Sequence, residues 1–531
     1  MAVISLLPLF GGIMENDSAL YASISKTIAL NDDWFNLYVR GNDWLDKPHL
    51  TFWLSVLSFK IFGVNAFAFK LPSYLFGLLG AFYTYKFGKR LYNEKIGLTS
   101  ALIFLSSLHV IVSTFDVRAE IYICTFTLAA IYHFYRAHQA SFWDIVLGSL
   151  FAACAIMIKG IFVLIPIFLG FVSYWIFTKQ YNQLIKPKWY LAIIFVLLFI
   201  TPELYSLYIQ FDLHPEKLVF GKTEVSGLKF FFWDSQFGRF FNTGPIKGSG
   251  DITFFLHTTL WAFLPWSILF YAAVANLFKK GVSAKLPKAT MIIWASAFFT
   301  FLLFSFSKFQ LPHYIIIIFP QFSIVTAIYL DSLTEKAQKA FSIIQNFIFV
   351  IIVLLLAGLA IYFNVDNKYI GVATLLIILA LAFVFFKGFL QEKIIARSVF
   401  ASIALMVFLS VFFYPSLLKY QSGMNAGNWL NKNMPNAKPA VLMHLDAYTF
   451  DFYAPTAPLY FYNYEDLERY QHKNSLVIYT PETELKALQE KYQTVVLKTF
   501  EYYRVTRLKP KFLNSKTRAQ VLEKFVLVKI N

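Results

Sequence analysis

Asp17 sits in the stretch MENDSALYA (14–22), directly after the apolar run AVISLLPLFGGI, with Glu15 and Asn16 beside it. Asp46 and Lys47 adjoin in NDWLDKPHL, and Asp116, Arg118 and Glu120 fall in TFDVRAEIY. Arg239 lies in FFWDSQFGRFF, and Lys308, His313 and Tyr314 lie in SFSKFQLPHY. A carboxylate can position or deprotonate a nucleophile, and lysine or arginine can neutralise a departing phosphate. All these residues stand at the edges of apolar blocks, where an unpaired charge is costly, so they are expected to pair or to work. Together they suit acid/base chemistry on a substrate with a phosphate leaving group.

The elements that position them are membrane helices. The chain has 531 residues, 58% hydrophobic and only 15% charged, with a mean hydropathy of +0.57. Soluble proteins carry about 25% charge. Apolar blocks bounded by charge predict spans at 71–88, 96–115, 121–136, 142–158, 161–178, 189–209, 253–278, 289–307, 311–330, 342–363, 369–386 and 398–414. With the opening run this makes a mainly α, polytopic integral membrane protein of about twelve or thirteen transmembrane helices. Residues 2–13 are too short to cross alone, and they are read as the end of a first membrane helix that begins upstream of a mis-assigned start. Segment 49–64 is short and carries Lys60, so it is expected to be interfacial or re-entrant.

Basic residues set the orientation. Every second loop is rich in Lys and Arg: 86–95, 179–188, 279–288, 335–339 and 387–397. The positive-inside rule places these in the cytoplasm and puts 14–70, 116–120, 210–252 and 415–531 outside. The tail alternates β-branched and aromatic runs with polar turns and one helical stretch, which predicts a small α/β domain at 416–531 after a membrane domain at 1–415. The net charge of +17 is read as orientation signal and attraction to anionic lipid, not nucleic-acid binding. Cys124 and Cys154 fall in apolar blocks as core residues. There is no Walker A loop or dinucleotide fingerprint, so ATP-driven transport has no support in the sequence.

DSALYASISKTIALNDDW followed by NDWLDKPHLTFWLSVLSFKIFGVNAFAFKLPSYLFGLLG resembles the start of the bacterial lipid A aminoarabinose transferases (ArnT) and the protein O-mannosyltransferases. The likeness rests on an Asp four residues before Tyr-Ala, an acidic-Lys-Pro step before an aromatic helix, and an Arg-x-acidic turn near residue 120; SFSKFQLPHYIIIIFP resembles a later Ser-Lys-Leu-Pro-x-Tyr motif. The resemblance implies a GT-C glycosyltransferase of the bacterial inner membrane using a polyprenyl-phosphate sugar, with the site facing the periplasm. The acceptor would be a lipid such as lipid A, another glycan, or a protein. It implies that Asp17 is the catalytic aspartate, with Glu15 or Glu120 as second carboxylate, and that Lys47 holds the donor phosphate, joined by Arg118, Lys308, Arg239 and Tyr314. The competing reading of Asp17 is a helix N-cap, and that of Lys47 an interfacial snorkelling lysine. Where relatives often have Asp-Glu, this chain has Asp17-Ser18.

Asp46 stands where ArnT-like enzymes have a glutamate that can contact a metal, so a divalent metal at Asp46 with His257 (or His49) is an open question. His257 also reads as a core histidine. The alternative function is a polytopic transporter or flippase, which would place charges mid-span around broken helices.

Overall fold

The computed structural model describes residues 1–138, 141–244, 246–280, 287–386, 388–443, 447–470 and 475–530. Parts of the loops 279–288 and 387–397 and of the tail segment around 444–446 lie outside the described residues. A 3-10 turn, Ile4–Phe10, precedes helix α1 (Asp17–Asn31), and the short apolar α2 (Leu50–Phe62) follows. Lys60 on α2 pairs with Asp32 at the end of α1 at 2.8 Å. Next come α3 (Ala66–Leu91), α4 (Ala119–Ala137), α5 (Phe142–Lys159), α6 (Thr290–Phe306), α7 (Glu335–Phe363), α8 (Lys368–Phe385) and α9 (Leu390–Phe408).

Their starts follow from polar caps. The side chains of Asn65, Ser141 and Thr334 each accept a backbone N–H of the helix they precede, satisfying donors that lipid would leave bare. Helix α4 is buried along almost its whole length and forms the centre of the bundle. Helices α7 and α8 turn Leu354, Leu355 and Ile377 outward, as lipid-facing helices do.

Six described helices are long and apolar enough to cross a membrane, or up to eight when each bent pair is taken as one span. Four shorter apolar helices accompany them. The expected span 96–115 is bent by 51° between Leu105 and Leu108. There Ser106 and Ser107 donate their hydroxyls to Leu102 and Ile103 carbonyls, covering groups that the break exposes. The expected span 189–209 bends by 41° just before Pro202. The expected span 253–278 is two helices, Phe254–Ala262 and Ser267–Lys280, because Pro265 lacks the N–H a continuous helix needs.

The tail forms a five-stranded sheet from β1 (Lys438–Leu442), β2 (Leu459–Phe461), β3 (Leu476–Pro481), β4 (Thr494–Tyr502) and β5 (Glu523–Ile530), in the order β2-β1-β3-β5-β4. The β1 pairs are parallel and the β5 pairs antiparallel. Between β1 and β2 the short helix α10 (Tyr448–Tyr453) docks onto α1. The Lys26 ammonium is buried and donates to the carbonyls of Asp451, Phe452 and Ala454 at 3.1, 2.9 and 2.7 Å. Arg40 pairs with Asp451 at 3.1 Å, between the rings of Tyr448 and Tyr460.

Candidate active site

Helix ends deliver the charged residues to one cleft. Asp17 is the first residue of α1; Asn16 occupies the cap position, and neither that cap nor Asp17 satisfies the capping expectation, since no side-chain cap bond forms. The Asp17 carboxylate instead pairs with Arg118, the residue immediately before α4. Arg118 also takes Asp116 through Nε at 2.7 Å and Nη2 at 2.5 Å. Glu120, in the first turn of α4, accepts Lys159 Nζ at 2.8 Å. Lys159 is the last residue of α5, where the helix dipole favours a cation. Gly160 follows at φ +99, and a Cβ there would strike the Gln236 amide, so only glycine turns the chain at this point.

Asp46 and Lys47 lie in the loop before α2. Asp46 pairs with both Lys47 and Arg239. Burial alone would raise the Asp46 carboxyl, but the two cations outweigh it and hold it below its usual range. Burial lowers the Lys47 ammonium, and the nearby Arg239 and Lys159 add to that against the pull of Asp46. Two cations within reach of one carboxylate leave positive charge available for an anion.

Asp17, Tyr21, Asp46, Lys47, Arg118, Glu120, Lys159, Arg239, His313 and Tyr314 all line one cleft of about 650 Å³. Four cations there face three carboxylates. Lys159 Nζ lies 4.1 Å from the centre of the Tyr314 ring, a favourable cation–π placement. Lys159 and Arg239 also line an adjoining apolar cavity of about 720 Å³, walled by Phe162, Pro166, Leu303, Phe304 and Ile317. A third, smaller void of about 350 Å³ touches Asp46, Lys47, Lys159 and Arg239 as well.

The structure thus brings Asp17, Asp46, Lys47, Arg118, Glu120, Arg239 and Tyr314 together. Glu15 stands elsewhere: its carboxylate is buried and accepts the Thr449 hydroxyl at 2.7 Å, facing α10. The second carboxylate in the cleft is Glu120, and it is neutralised by Lys159. Lys308 is exposed and outside the cleft lining; its backbone N–H is fixed to Phe240, and the neighbouring Phe309 turns inward instead. His257 is neither core nor cleft. It is exposed, with its ring against Phe254. His49 is buried and bonded through both ring nitrogens, to Glu203 at 3.0 Å and to the Phe35 carbonyl at 3.1 Å.

Among the described residues no three His, Cys, Asp or Glu side chains converge as a metal site. Asp46 is engaged by Lys47 and Arg239, and His257 does not line the cleft that Asp46 lines. The cleft cation that sequence reasoning missed is Lys159, visible there only as a lysine-glycine step closing an apolar block.

A family model described as dolichyl-phosphate-mannose-protein mannosyltransferase matches residues 46–205. An uncharacterized protein of Aquifex aeolicus is 26% identical over 456 residues, covering 84% of this chain and 82% of that one. The undecaprenyl phosphate-alpha-4-amino-4-deoxy-L-arabinose arabinosyl transferase of Wigglesworthia glossinidia brevipalpis is 27% identical over 348 residues, covering 63% of this chain. The match spans 58% of that transferase's length. The crystal structure of ArnT from Cupriavidus metallidurans bound to undecaprenyl phosphate superposes with a TM-score of 0.78 at 16% identity, covering 99% of this chain and 96% of that one. The chain is thus similar in fold to ArnT over almost its whole length and similar in sequence to the undecaprenyl phosphate arabinosyl transferases over 63% of it.

Proposed function

We propose that the chain transfers a sugar from a polyprenyl-phosphate donor to a hydroxyl of a lipid, glycan or protein acceptor at the outer, periplasmic face of a bacterial inner membrane. The observation that carries this reading is the position of Lys159 and Arg239, which line both the polar cleft and the apolar cavity beside it. A lipid-linked phosphate needs that junction: cations for the headgroup and an apolar wall for the chain. Relatives and fold neighbour agree, one named an undecaprenyl phosphate arabinosyl transferase and the other bound to undecaprenyl phosphate.

In this reading Lys47, Arg239 and Lys159 hold the donor phosphate, with Asp46 orienting the first two. Asp17, anchored by Arg118, takes the acceptor proton. The acceptor oxygen then bonds to the anomeric carbon as the bond to the phosphate oxygen breaks. The electron pair leaves with polyprenyl phosphate, whose growing charge the cations stabilise, and configuration inverts. Glu120 keeps Lys159 in place. The domain division, a catalytic membrane part to residue 415 and a small outer domain beyond it, belongs to the same proposal.

The test is transfer by the full chain in proteoliposomes, with radiolabelled polyprenyl-phosphate sugars offered alongside a lipid extract and protein acceptors. Label moving into one acceptor fraction, and lost in Asp17→Asn, supports the reading and identifies the acceptor class. Donor crossing the bilayer without transfer would establish the transporter reading instead. That reading is not favoured, because the cleft charges sit at helix ends.

A further inference from the structure

The positive-inside rule leaves the short cleft-side turns poor in cations. The turns at 116–120, 159–160, 307–314 and 364–368 hold one basic residue each: Arg118, Lys159, Lys308 and Lys368. Residues 503–518, YRVTRLKPKFLNSKTR, break this pattern with six basic residues and no acidic one. The segment belongs to the same side. The helix Phe319–Asp331 runs away from the cleft and α7 returns, so the Phe363 end of α7 is on the cleft side. Segment 503–518 is fastened to that end. Ser515 N–H donates to the Tyr362 carbonyl at 3.1 Å. The Arg518 guanidinium, buried, bonds the Tyr420 hydroxyl at 2.8 Å and the Phe363 carbonyl at 2.5 Å, and lies 3.9 Å from the Phe363 ring centre.

Its apolar underside joins the core of the spans. Val505 and Phe512 are buried in one cluster with Phe349, Val353 and Phe363 of α7. Tyr503 stacks on Phe512 at 3.7 Å. The segment is therefore a platform fixed to the Phe363 end of α7. Its upper side leaves Arg507, Lys509, Lys511 and Lys516 exposed. Around it, Leu508, Tyr362 and Tyr369 are exposed, an aromatic and apolar surround of the kind found at headgroup depth. None of the four cations has a carboxylate partner among the described residues.

We infer that this platform binds anionic lipid headgroups at the cleft-side membrane surface. Cations held at headgroup height gain from every anionic lipid within a Debye length. Rigid attachment means that little entropy is lost on binding. The fixed position also draws anionic lipid to the same face as the cleft, which is independent of what the cleft catalyses.

The test uses the full chain in phosphatidylcholine bilayers containing trace spin-labelled phosphatidylglycerol or phosphatidylcholine. Electron paramagnetic resonance reads the motionally restricted fraction of each label, at low and high salt. Wild type is expected to select phosphatidylglycerol at low salt. The R507Q/K509Q/K511Q/K516Q variant should lose about half of that selectivity, with high salt bringing wild type toward the variant. Should that variant unfold, K509Q/K511Q gives a smaller drop in the same direction. Unchanged selectivity in a variant with the wild-type unfolding midpoint would overturn the proposal. So would loss of selectivity on adding inorganic phosphate at matched ionic strength, since the site would then be one for free anion and not for a lipid surface.

Discussion

Helices α4 and α5 carry charged side chains at both ends, and the two ends behave differently. At the cleft end Arg118, Glu120 and Lys159 border a void and share it with Lys47 and Arg239. At the far end Asp144 and His133 pair at 2.7 Å, Arg136 takes the other Asp144 oxygen at 3.3 Å, and the Tyr83 hydroxyl meets His133 Nε2 at 3.1 Å. Both Asp144 oxygens and both His133 nitrogens thus have partners, and the network closes on itself. Residue types are similar at the two ends. What separates them is the space beside the charges.

The largest effect that would sharpen this contrast is at Asp17. Asp17→Asn is expected to cut transfer by about 10²–10⁴ while the unfolding midpoint stays put, because half of its side-chain surface is exposed. Next, Lys47→Ala or Arg239→Ala should cost about 10²–10³ in turnover, with Lys47→Arg recovering part of it if phosphate charge is what is stabilised. Steady-state kinetics with varied donor reads both. At the far end, Asp144→Ala should lower stability by about 2 kcal/mol, because it strands His133 and Arg136. The specific activity of the protein that remains folded should be unchanged. A loss of turnover there equal to that of Lys47→Ala would erase the distinction between the two ends.

The smallest effect concerns the contact between α1 and α10. Burial, against the pull of Arg40 and Lys26, raises the Asp451 carboxyl to about 6, above its unfolded value of 3.8. The folded state therefore binds the proton more tightly. The stability this contributes is full below about pH 4 and lost as pH rises through about 6. Burial lowers the Lys26 ammonium to about 8, so its own contribution changes only at higher pH. The protection factors of α10 amides, with intrinsic exchange divided out, should fall between pH 4 and 6, and Asp451→Asn should flatten that fall while leaving the Lys26 bonds to backbone carbonyls in place.

Much of this was legible in one dimension. Asp17, Asp46, Lys47, Arg118, Glu120 and Arg239 fell on loops that the alternation of basic residues put on one side, and all six line the cleft. Glu15 was indistinguishable from a catalytic neighbour, because two residues of separation carry no information about which way each side chain turns as α1 begins. His257 was misread because its helix, FFLHTTLWA, has no amphipathic stripe, so nothing in the pattern separates a core face from an exposed one. Lys159 was passed over because a lysine ending an apolar block has the same appearance whether it snorkels or turns inward.

By itself the sequence determined that this is a mainly helical membrane chain with a small mixed tail. Long apolar blocks can only satisfy their backbone as helices, and period-two runs only as strands. It also determined which side the polar residues share, since charge bias along the chain is additive and local. Only the tertiary structure decided which charges neutralise one another, which face a void, and that Lys159 and Arg239 stand where polar cleft meets apolar cavity. Those outcomes depend on packing among segments more than 100 residues apart, such as Asp17 with Arg118 or Asp46 with Arg239. Hydrophobicity brings such segments together without specifying which pairs will meet.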